Sequence, residues 1–138
     1  MGKILTVSIA AYNVEQYIDK ALRSLICSRM DKLEVLIIDD GSTDNTFSVA
    51  KGYESRYPET FHTIHKENGG YGSTINHSIG IATGKYFKQL DADDCFDTGN
   101  LNAFIDYLEN NSSDLVLSPF YTYFSFDGHK NSMTVILR

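Results

Sequence analysis

EVLIIDDGSTDNTFSVAKGYESRY, residues 34–57, is the stretch that decides the fold. It begins with a continuous apolar run that ends in two acids, and this run is short enough to favour a buried strand over a helix. Apolar residues then recur at helical spacing after a group of capping residues, and Pro58 stops the pattern. A buried strand followed directly by a helix is typical of the units that build parallel sheets.

The same alternation of strand and helix extends along the rest of the chain. We predict further strands at residues 4–9, 60–65, 85–90 and 114–126, and further helices at residues 13–28, 73–82 and around 101–108. Asn13 is the expected N-cap of the first helix, and a turn is expected at Asp127 and Gly128. The pattern predicts one α/β domain over residues 1–138, with a mostly parallel central sheet flanked by helices.

The composition is that of an ordinary soluble protein and excludes some classes of partner. The chain has 138 residues, 42% of them hydrophobic, and its net charge of −6 argues against nucleic-acid binding. No apolar run approaches the about 18 residues of a membrane span, and the N-terminus does not resemble an export signal. Cys27 and Cys95 lack metal-binding or redox spacing, so we expect a cytoplasmic protein.

A polar cluster follows each of the first four predicted strands. In chain order, the clusters are Ala11, Tyr12 and Asn13; Asp39 and Asp40; residues 68–72; and Asp91 and Asp93. Because ligands bind beyond the carboxyl ends of parallel strands, the four clusters are expected to lie on one edge and to form a site.

Each cluster also has a purely structural interpretation. Asp39 and Asp40 could cap the following helix, Tyr12 could pack against Tyr17 as a hydrophobic staple, and the glycines of residues 68–72 could form only a tight turn.

The acidic cluster is harder to explain by structure alone, because crowded carboxylates raise each other's pKa. Asp94 and Asp97 could face solvent or cap a helix. Asp91 and Asp93, directly after a buried strand, fit the oxygen ligands of a hard divalent cation.

The residues around this edge suit a nucleotide diphosphate. Neither a GxxxxGK[ST] loop nor a GxGxxG motif after the first strand is present, and Lys66 is the nearest cation. A divalent metal would therefore have to neutralise the diphosphate. The Tyr12 ring suits stacking on a base, and Asp40 suits an N–H donor such as uracil N3.

Three segments carry a resemblance to a known family: VSIAAYNVEQYIDKALRSL at residues 7–25, EVLIIDDGSTDNT at 34–46 and NGGYGSTINHSIGIATGKYFKQLDADD at 68–94. In their order and spacing they resemble the family 2 glycosyltransferases, which have the Rossmann-like GT-A fold. The resemblance implies that Tyr12 and Asp40 lie at the base of a nucleotide-sugar, usually a UDP-sugar. It implies that Asp91-Ala92-Asp93 is the DxD motif, in which Asp91 contacts ribose or sugar and Asp93 holds Mn²⁺ or Mg²⁺.

The resemblance extends to other parts of the predicted nucleotide-sugar site. Gly70 and Asn76 match the family's NxG…N segment, which lines the donor pocket, and Asp39 matches an acid that supports the loop. Ala11 and Asn13 flank Tyr12 and complete the predicted set.

The chain also departs from the family pattern. Ile75 stands where Arg is frequent, and Ser78 stands where Gly is usual. Family members continue into a region that carries the acceptor site and a general base, whereas this chain ends about 45 residues after Asp93. We therefore expect a truncated, donor-binding part of a longer enzyme. Glu109 is expected to lie on a solvated face, and no catalytic base is identified.

The implied function is inverting transfer of a sugar to an acceptor hydroxyl, with a saccharide or lipid-linked acceptor in cell-surface polysaccharide or glycolipid synthesis. In the full-length protein this would take place in the cytoplasm or at the inner face of the membrane. A nucleotide-sugar-binding module without turnover is the alternative. A phosphohydrolase of the haloacid dehalogenase type is disfavoured, because Asp93 follows the fourth strand and precedes Asp94 and Cys95. A purely structural domain would not explain four polar clusters on one edge.

Overall fold

The computed structural model describes residues 2–123 and 130–133 of the chain. Strands and helices alternate along it. In order they are β1 (Leu5–Ala11), α1 (Ile18–Arg23), β2 (Leu33–Asp39), α2 (Thr46–Arg56), β3 (Phe61–His65), α3 (Tyr71–Ile81), β4 (Tyr86–Asp91), α4 (Thr98–Glu109), β5 (Phe120–Tyr123) and β6 (Lys130–Met133), with a short 3₁₀ turn at Met30–Lys32 before β2.

The first four strands form a parallel sheet in the order β3-β2-β1-β4. The register pairs Ala11 on β1 with Asp39 on β2, and Ala10 on β1 with Asp91 on β4. The carboxyl ends of these strands therefore lie at one level. The prediction of a mostly parallel sheet flanked by helices is confirmed.

One face of the sheet carries the apolar core. Side chains of β1, β2 and β3, such as Val7, Val35 and Phe61, pack there against buried residues of α1, α2 and α4. Each large apolar side chain of this cluster contributes about 1.5–3 kcal/mol by leaving water. This core makes β1 and β2 a rigid support for the loops at their carboxyl ends.

The opposite face, under α3, contains buried polar groups that hydrogen-bond to each other. Ser8 on β1 donates to Ser78 on α3 at 2.6 Å, and neither side chain is more than 1% exposed. The resemblance led us to expect glycine at position 78, where Ser78 has the Ser8 hydroxyl as its partner. The serine at position 78 therefore forms a hydrogen bond that links α3 to β1.

Glu34 is the buried carboxylate of this face. It accepts hydrogen bonds from the Thr6 hydroxyl at 2.6 Å and from the backbone N–H and hydroxyl of Thr83 at 2.9 and 2.8 Å. Burial raises the pKa of Glu34, but the donors of Thr6 and Thr83 outweigh it, and the pKa is lowered overall.

We expect Glu34→Gln to reduce the free energy of unfolding by about 1–3 kcal/mol at pH 7, because an amide cannot accept all three hydrogen bonds. The folded-state pKa of Glu34 is depressed, so its stabilisation is present above the unfolded value of about 4.3 and is lost as pH falls through the folded value. The difference between variant and wild type in urea unfolding should therefore shrink towards pH 3. Exposed Glu59→Gln is the control, and a pH-independent difference would contradict the assignment.

Two predictions about secondary structure are wrong. The first helix does not begin at Asn13, which has a φ of +50°, but spans only Ile18–Arg23 with Tyr17 as N-cap. Asn13 cannot cap because it is in the left-handed region, where its side chain accepts a hydrogen bond from Thr43 N–H at 2.8 Å.

The predicted strand at residues 114–126 is also shorter than expected. Within the described residues 114–123, only Phe120–Tyr123 forms a strand, and it pairs antiparallel with β6 instead of joining the parallel sheet. Pro119 precedes it and has no N–H to donate to a ladder. Residues 124–126 and the turn predicted at Asp127 and Gly128 lie outside the described residues.

Candidate functional site

A cavity of about 790 Å³ opens at the carboxyl ends of β1, β2 and β4. Its size lies within the range typical of small-molecule sites. The lining residues come from four separate segments of the chain: Ala10, Ala11, Tyr12, Val14, Tyr17, Asp40, Asn68, Gly70, Tyr71, Thr74, Asp91, Ala92 and Asp93. The structure therefore brings together six of the nine residues predicted from sequence, namely Ala11, Tyr12, Asp40, Gly70, Asp91 and Asp93.

The acidic end of the cavity is formed by the turn after β4. Asp91, Asp93 and Asp94 are exposed, and each offers a carboxylate oxygen within 4.8 Å of the other two. Burial, followed by the charges of Asp93 and Asp91, raises the pKa of Asp94. Three oxygen ligands on one turn fit a hard divalent cation such as Mn²⁺ or Mg²⁺. Sequence reasoning assigned no role to Asp94.

Tyr71 is a cavity residue that sequence reasoning missed. Its hydroxyl donates a hydrogen bond to Asp91 Oδ1 at 2.9 Å, while its side chain is 53% exposed. Burial of the hydroxyl and then the bond to Asp91 raise the pKa of Tyr71. The phenol therefore orients one carboxylate of the acidic cluster from the first turn of α3.

Asp40, at the carboxyl end of β2, is almost completely buried, at 4% exposure. Its Oδ1 accepts from Lys66 Nζ at 2.7 Å and from Gly69 N–H at 2.9 Å, and its Oδ2 accepts from Gly70 N–H at 2.9 Å. Burial raises the pKa of Asp40, but Lys66, Gly69 and Gly70 outweigh it, and the pKa is lowered overall. Asp40 therefore presents a fixed, ionised carboxylate to the cavity.

The loop that carries these donors needs glycine at two positions. A Cβ at Gly69 would lie 2.8 Å from Ser73 Oγ and 2.9 Å from Lys66 Nζ, and Gly70 has a φ of +89°. The glycines thus form a tight turn, and the same turn directs two backbone N–H groups at Asp40. The structural and functional interpretations of this segment are compatible.

Asp39 and Asn13 support the site from outside the cavity. Asp39 is fully buried and accepts hydrogen bonds from Ser42 N–H at 3.3 Å and from His65 Nδ1 at 2.6 Å. Asn13 binds the same loop through Thr43. Because α2 begins only at Thr46, the interpretation of Asp39 and Asp40 as its caps is wrong.

Tyr12 and Tyr17 both line the cavity, and each is about half exposed.

Asn76 is exposed on α3 and does not line the cavity. It lies two residues after Thr74, about 200° further around the helix, whereas Thr74 and Tyr71 share the face that borders the cavity. Helical periodicity could have identified that face once the start of α3 was known.

The cavity carries negative charge. Asp40, Asp91 and Asp93 line it, and no lysine or arginine among the described side chains does. Lys66, the nearest cation by sequence, has its ammonium turned towards Asp40, Glu67 and Ser73. The described lining therefore offers no lysine or arginine side chain to a diphosphate.

Glu109 lies away from the cavity. Arg29 donates to its Oε2 at 2.7 Å, and Lys32 lies 3.5 Å from its Oε1. Glu109 thus forms a surface ion-pair cluster instead of serving as a free carboxylate. Within the described residues, none of the helices has the length and apolar character needed to cross a membrane.

Sequence comparisons give relatives of one kind. The Glycosyl transferase family 2 model matches residues 6–136. The MG025 homolog of Mycoplasma pneumoniae (strain ATCC 29342 / M129 / Subtype 1), named an uncharacterized glycosyltransferase, is 39% identical over 126 residues, which cover 88% of this chain and 41% of the relative. An uncharacterized glycosyltransferase of Haemophilus influenzae (strain ATCC 51907 / DSM 11121 / KW20 / Rd) is 35% identical, over 78% of this chain and 33% of its own length.

Solved structures show the same likeness. S. aureus TarS 1-349 in complex with UDP-GlcNAc superposes with a TM-score of 0.69 at 27% identity, over 77% of this chain and 31% of that chain. The mannosyltransferase PcManGT from Pyrobaculum calidifontis, in complex with GDP-Man and Mn²⁺, gives a TM-score of 0.64 at 27% identity, over 75% and 32% of the two chains.

The match covers most of this chain but less than half of each relative. The parallel sheet and its likeness to these transferases confirm the predicted GT-A fold. The chain belongs to glycosyl transferase family 2.

Proposed function

We propose that the protein is a metal-dependent, inverting glycosyltransferase that uses a nucleoside diphosphate sugar, foremost a UDP-sugar, as donor. One observation carries the proposal: a single cavity is lined both by an aromatic ring with a buried carboxylate, Tyr12 and Asp40, and by the acids Asp91 and Asp93. The former pair suits a base and the latter pair suits a metal-bound diphosphate. TarS in complex with UDP-GlcNAc and PcManGT in complex with GDP-Man support a nucleoside diphosphate sugar as the class of donor, and the TarS complex supports uridine as its base.

In this proposal, several of the cavity residues have distinct roles in binding the donor. The Tyr12 ring stacks on the base, and Asp40 accepts a hydrogen bond from a ring N–H. Ala11 and Gly70, which are small, let the donor approach the backbone closely. Asp91, oriented by Tyr71, contacts ribose or sugar.

Asp93 and Asp91 would hold Mn²⁺ or Mg²⁺, with Asp94 close enough to complete the oxygen set. When bound, such an ion supplies Lewis-acid stabilisation of the leaving diphosphate. The three carboxylates contribute the negative charge that retains the cation, and their exposure leaves room for phosphate oxygens and water.

The reaction itself is attack of an acceptor hydroxyl on the anomeric carbon, with cleavage of the bond to the diphosphate oxygen and loss of the hydroxyl proton to a base. In the described part of the chain, every carboxylate that lines the cavity already has another role. The described residues therefore supply the donor half of the reaction. We propose a saccharide or lipid-linked acceptor, in cell-surface polysaccharide or glycolipid synthesis in the cytoplasm or at the inner membrane face.

A thermal-shift panel tests the proposal: UDP, GDP, ADP and CDP, each with Mn²⁺ and with EDTA. A nucleotide at a hundredfold its Kd stabilises the folded state by about 2.7 kcal/mol, which is a shift of about 10 °C for a domain of this size. We expect the largest shift with UDP and Mn²⁺, and little with EDTA.

An equal shift in EDTA would contradict the metal dependence, and no shift with any nucleotide would contradict the donor site. Release of UDP from a UDP-sugar then separates the transferase from a binding module, because the module binds the donor without turning it over.

A further inference from the structure

The ammonium of Lys66 is held in a fixed position at the end of β3. It donates to Asp40 Oδ1 at 2.7 Å, to the carbonyl oxygen of Glu67 at 2.7 Å and to Ser73 Oγ at 2.9 Å. A lysine ammonium has three N–H donors, and these contacts use all of them. Lys66 is therefore placed to act on Asp40 and not on a phosphate.

Within residues 2–123 and 130–133, the donors around Asp40 leave its carboxylate one acceptor direction. An ionised carboxylate offers about four acceptor directions, two on each oxygen. Lys66 and Gly69 N–H occupy both directions of Oδ1, and Gly70 N–H occupies one direction of Oδ2. Asp40 lines the cavity, and the donors described leave only the second direction of Oδ2 for a base.

Nucleobases differ in how many donors they offer to such a carboxylate. Uracil offers one ring N–H between two carbonyl groups. Guanine offers a ring N–H and an adjacent amino N–H, which together pair with both oxygens of a free carboxylate. Hypoxanthine offers the ring N–H of guanine without the amino group. A carboxylate with one free direction therefore gains nothing from the second donor of guanine.

Resting on the proposed function, we propose that Lys66 is a positioning residue that limits how a base is recognised: by occupying Oδ1 of Asp40, it leaves a single acceptor direction, which one ring N–H can fill and from which the amino group of guanine gains nothing. Gly69 contributes to the same arrangement, because a Cβ at this position would lie 2.9 Å from Lys66 Nζ and would displace the ammonium. Ser73 fixes the ammonium from α3, and its own hydroxyl donates to the Gly70 carbonyl oxygen at 2.7 Å.

The first test uses the wild-type protein and needs no variant. Isothermal titration with Mn²⁺ would compare UDP, 3-methyl-UDP, GDP and IDP, the last of which carries hypoxanthine. We expect 3-methyl-UDP, which lacks the ring N–H, to bind about tenfold more weakly than UDP. GDP and IDP should bind within about threefold of each other.

The second test removes the ammonium and keeps a side chain of similar length. Lys66→Met removes one of the two donors to Oδ1 of Asp40, so one acceptor direction of that oxygen becomes free. The affinity for GDP should then rise about tenfold relative to that for IDP. Lys51→Met is the matched control, because Lys51 is an exposed lysine on α2 that pairs only with Glu54 among the described contacts. Its GDP to IDP ratio should equal that of wild type.

Several outcomes would overturn the inference. Wild type that binds GDP about tenfold more tightly than IDP would show that both oxygens of Asp40 are free. Equal binding of UDP and 3-methyl-UDP would show that no base N–H reaches Asp40. An unchanged GDP to IDP ratio in folded Lys66→Met would make Lys66 purely structural. If Lys66→Met does not fold, the two wild-type comparisons decide alone. Failure of wild type to bind any nucleotide would instead contradict the proposed function itself.

Discussion

Asp93→Asn is expected to lower the rate of metal-dependent sugar transfer, measured as kcat/KM for UDP release, by about a thousandfold. The substitution keeps the shape of the side chain and removes the charge that would hold the cation in the proposed function, where a bound cation would supply several kcal/mol of transition-state stabilisation. Asp93 is exposed within a cluster of like charges, so the free energy of unfolding should stay within about 0.5 kcal/mol of wild type.

Asp114→Asn is the matched control, because it removes one exposed carboxylate from the chain without touching the cavity. It should leave turnover and UDP affinity unchanged. If Asp93→Asn binds UDP in Mn²⁺ as tightly as wild type does, the metal assignment is wrong.

The second large effect is expected for Asp40→Ala, which should reduce the free energy of unfolding by about 3 kcal/mol. Removing this carboxylate leaves the Lys66 ammonium and the N–H groups of Gly69 and Gly70 without their acceptor in a nearly buried position. Lys66 is partly exposed and can turn to water, so the loss should fall at the lower end for a buried ion pair. UDP affinity should fall as well, because the base loses its acceptor.

Urea unfolding of Asp40→Ala, Lys66→Met and the double variant would measure how far the two residues act together. We expect the double variant to be more stable than the sum of the single losses predicts, because no unpaired ammonium remains. Asp114→Ala should cost less than about 0.5 kcal/mol. Additive losses would mean that the ion pair contributes little, and that Asp40 acts mainly through its backbone partners.

Much of the sheet could be predicted from sequence because its signal is strong and local. Residues 35–38 are apolar and are followed by Asp39 and Asp40, and the register then brings Asp39 and Asp91 to one edge through Ala11 and Ala10. Most of the predicted donor residues line one cavity for the same reason. The position of a side chain beyond the end of a parallel strand follows from topology.

Errors arose where tertiary contacts overrule local preference. Asn13 is a good N-cap by residue type, but Ser42 and Thr43 hold it in a left-handed turn and delay the helix to Ile18. In the same way, Asn76 matches a family motif, yet α3 turns it away from the cavity.

Residues that act through others were missed for a different reason. Sequence analysis noted Lys66 only as the nearest cation and gave Tyr71, the first residue of α3, no role, and only their distances to Asp40 and Asp91 show what they contact. Those distances depend on where α3 packs against β1, through Ser8 and Ser78. No pattern within one segment of the sequence contains that information.

The central position of β1 has a consequence for how the protein acquires its activity. Leu5 pairs with Leu33, 28 residues later, and with Tyr86, 81 residues later. The base end of the cavity can assemble with the early β1–β2 contact, but the acidic end arrives only when β4 closes the longest loop of the sheet, which is the slow type of step in folding. A nascent or half-folded chain therefore lacks the complete cavity, and under the proposed function nucleotide binding would report on completion of the whole sheet.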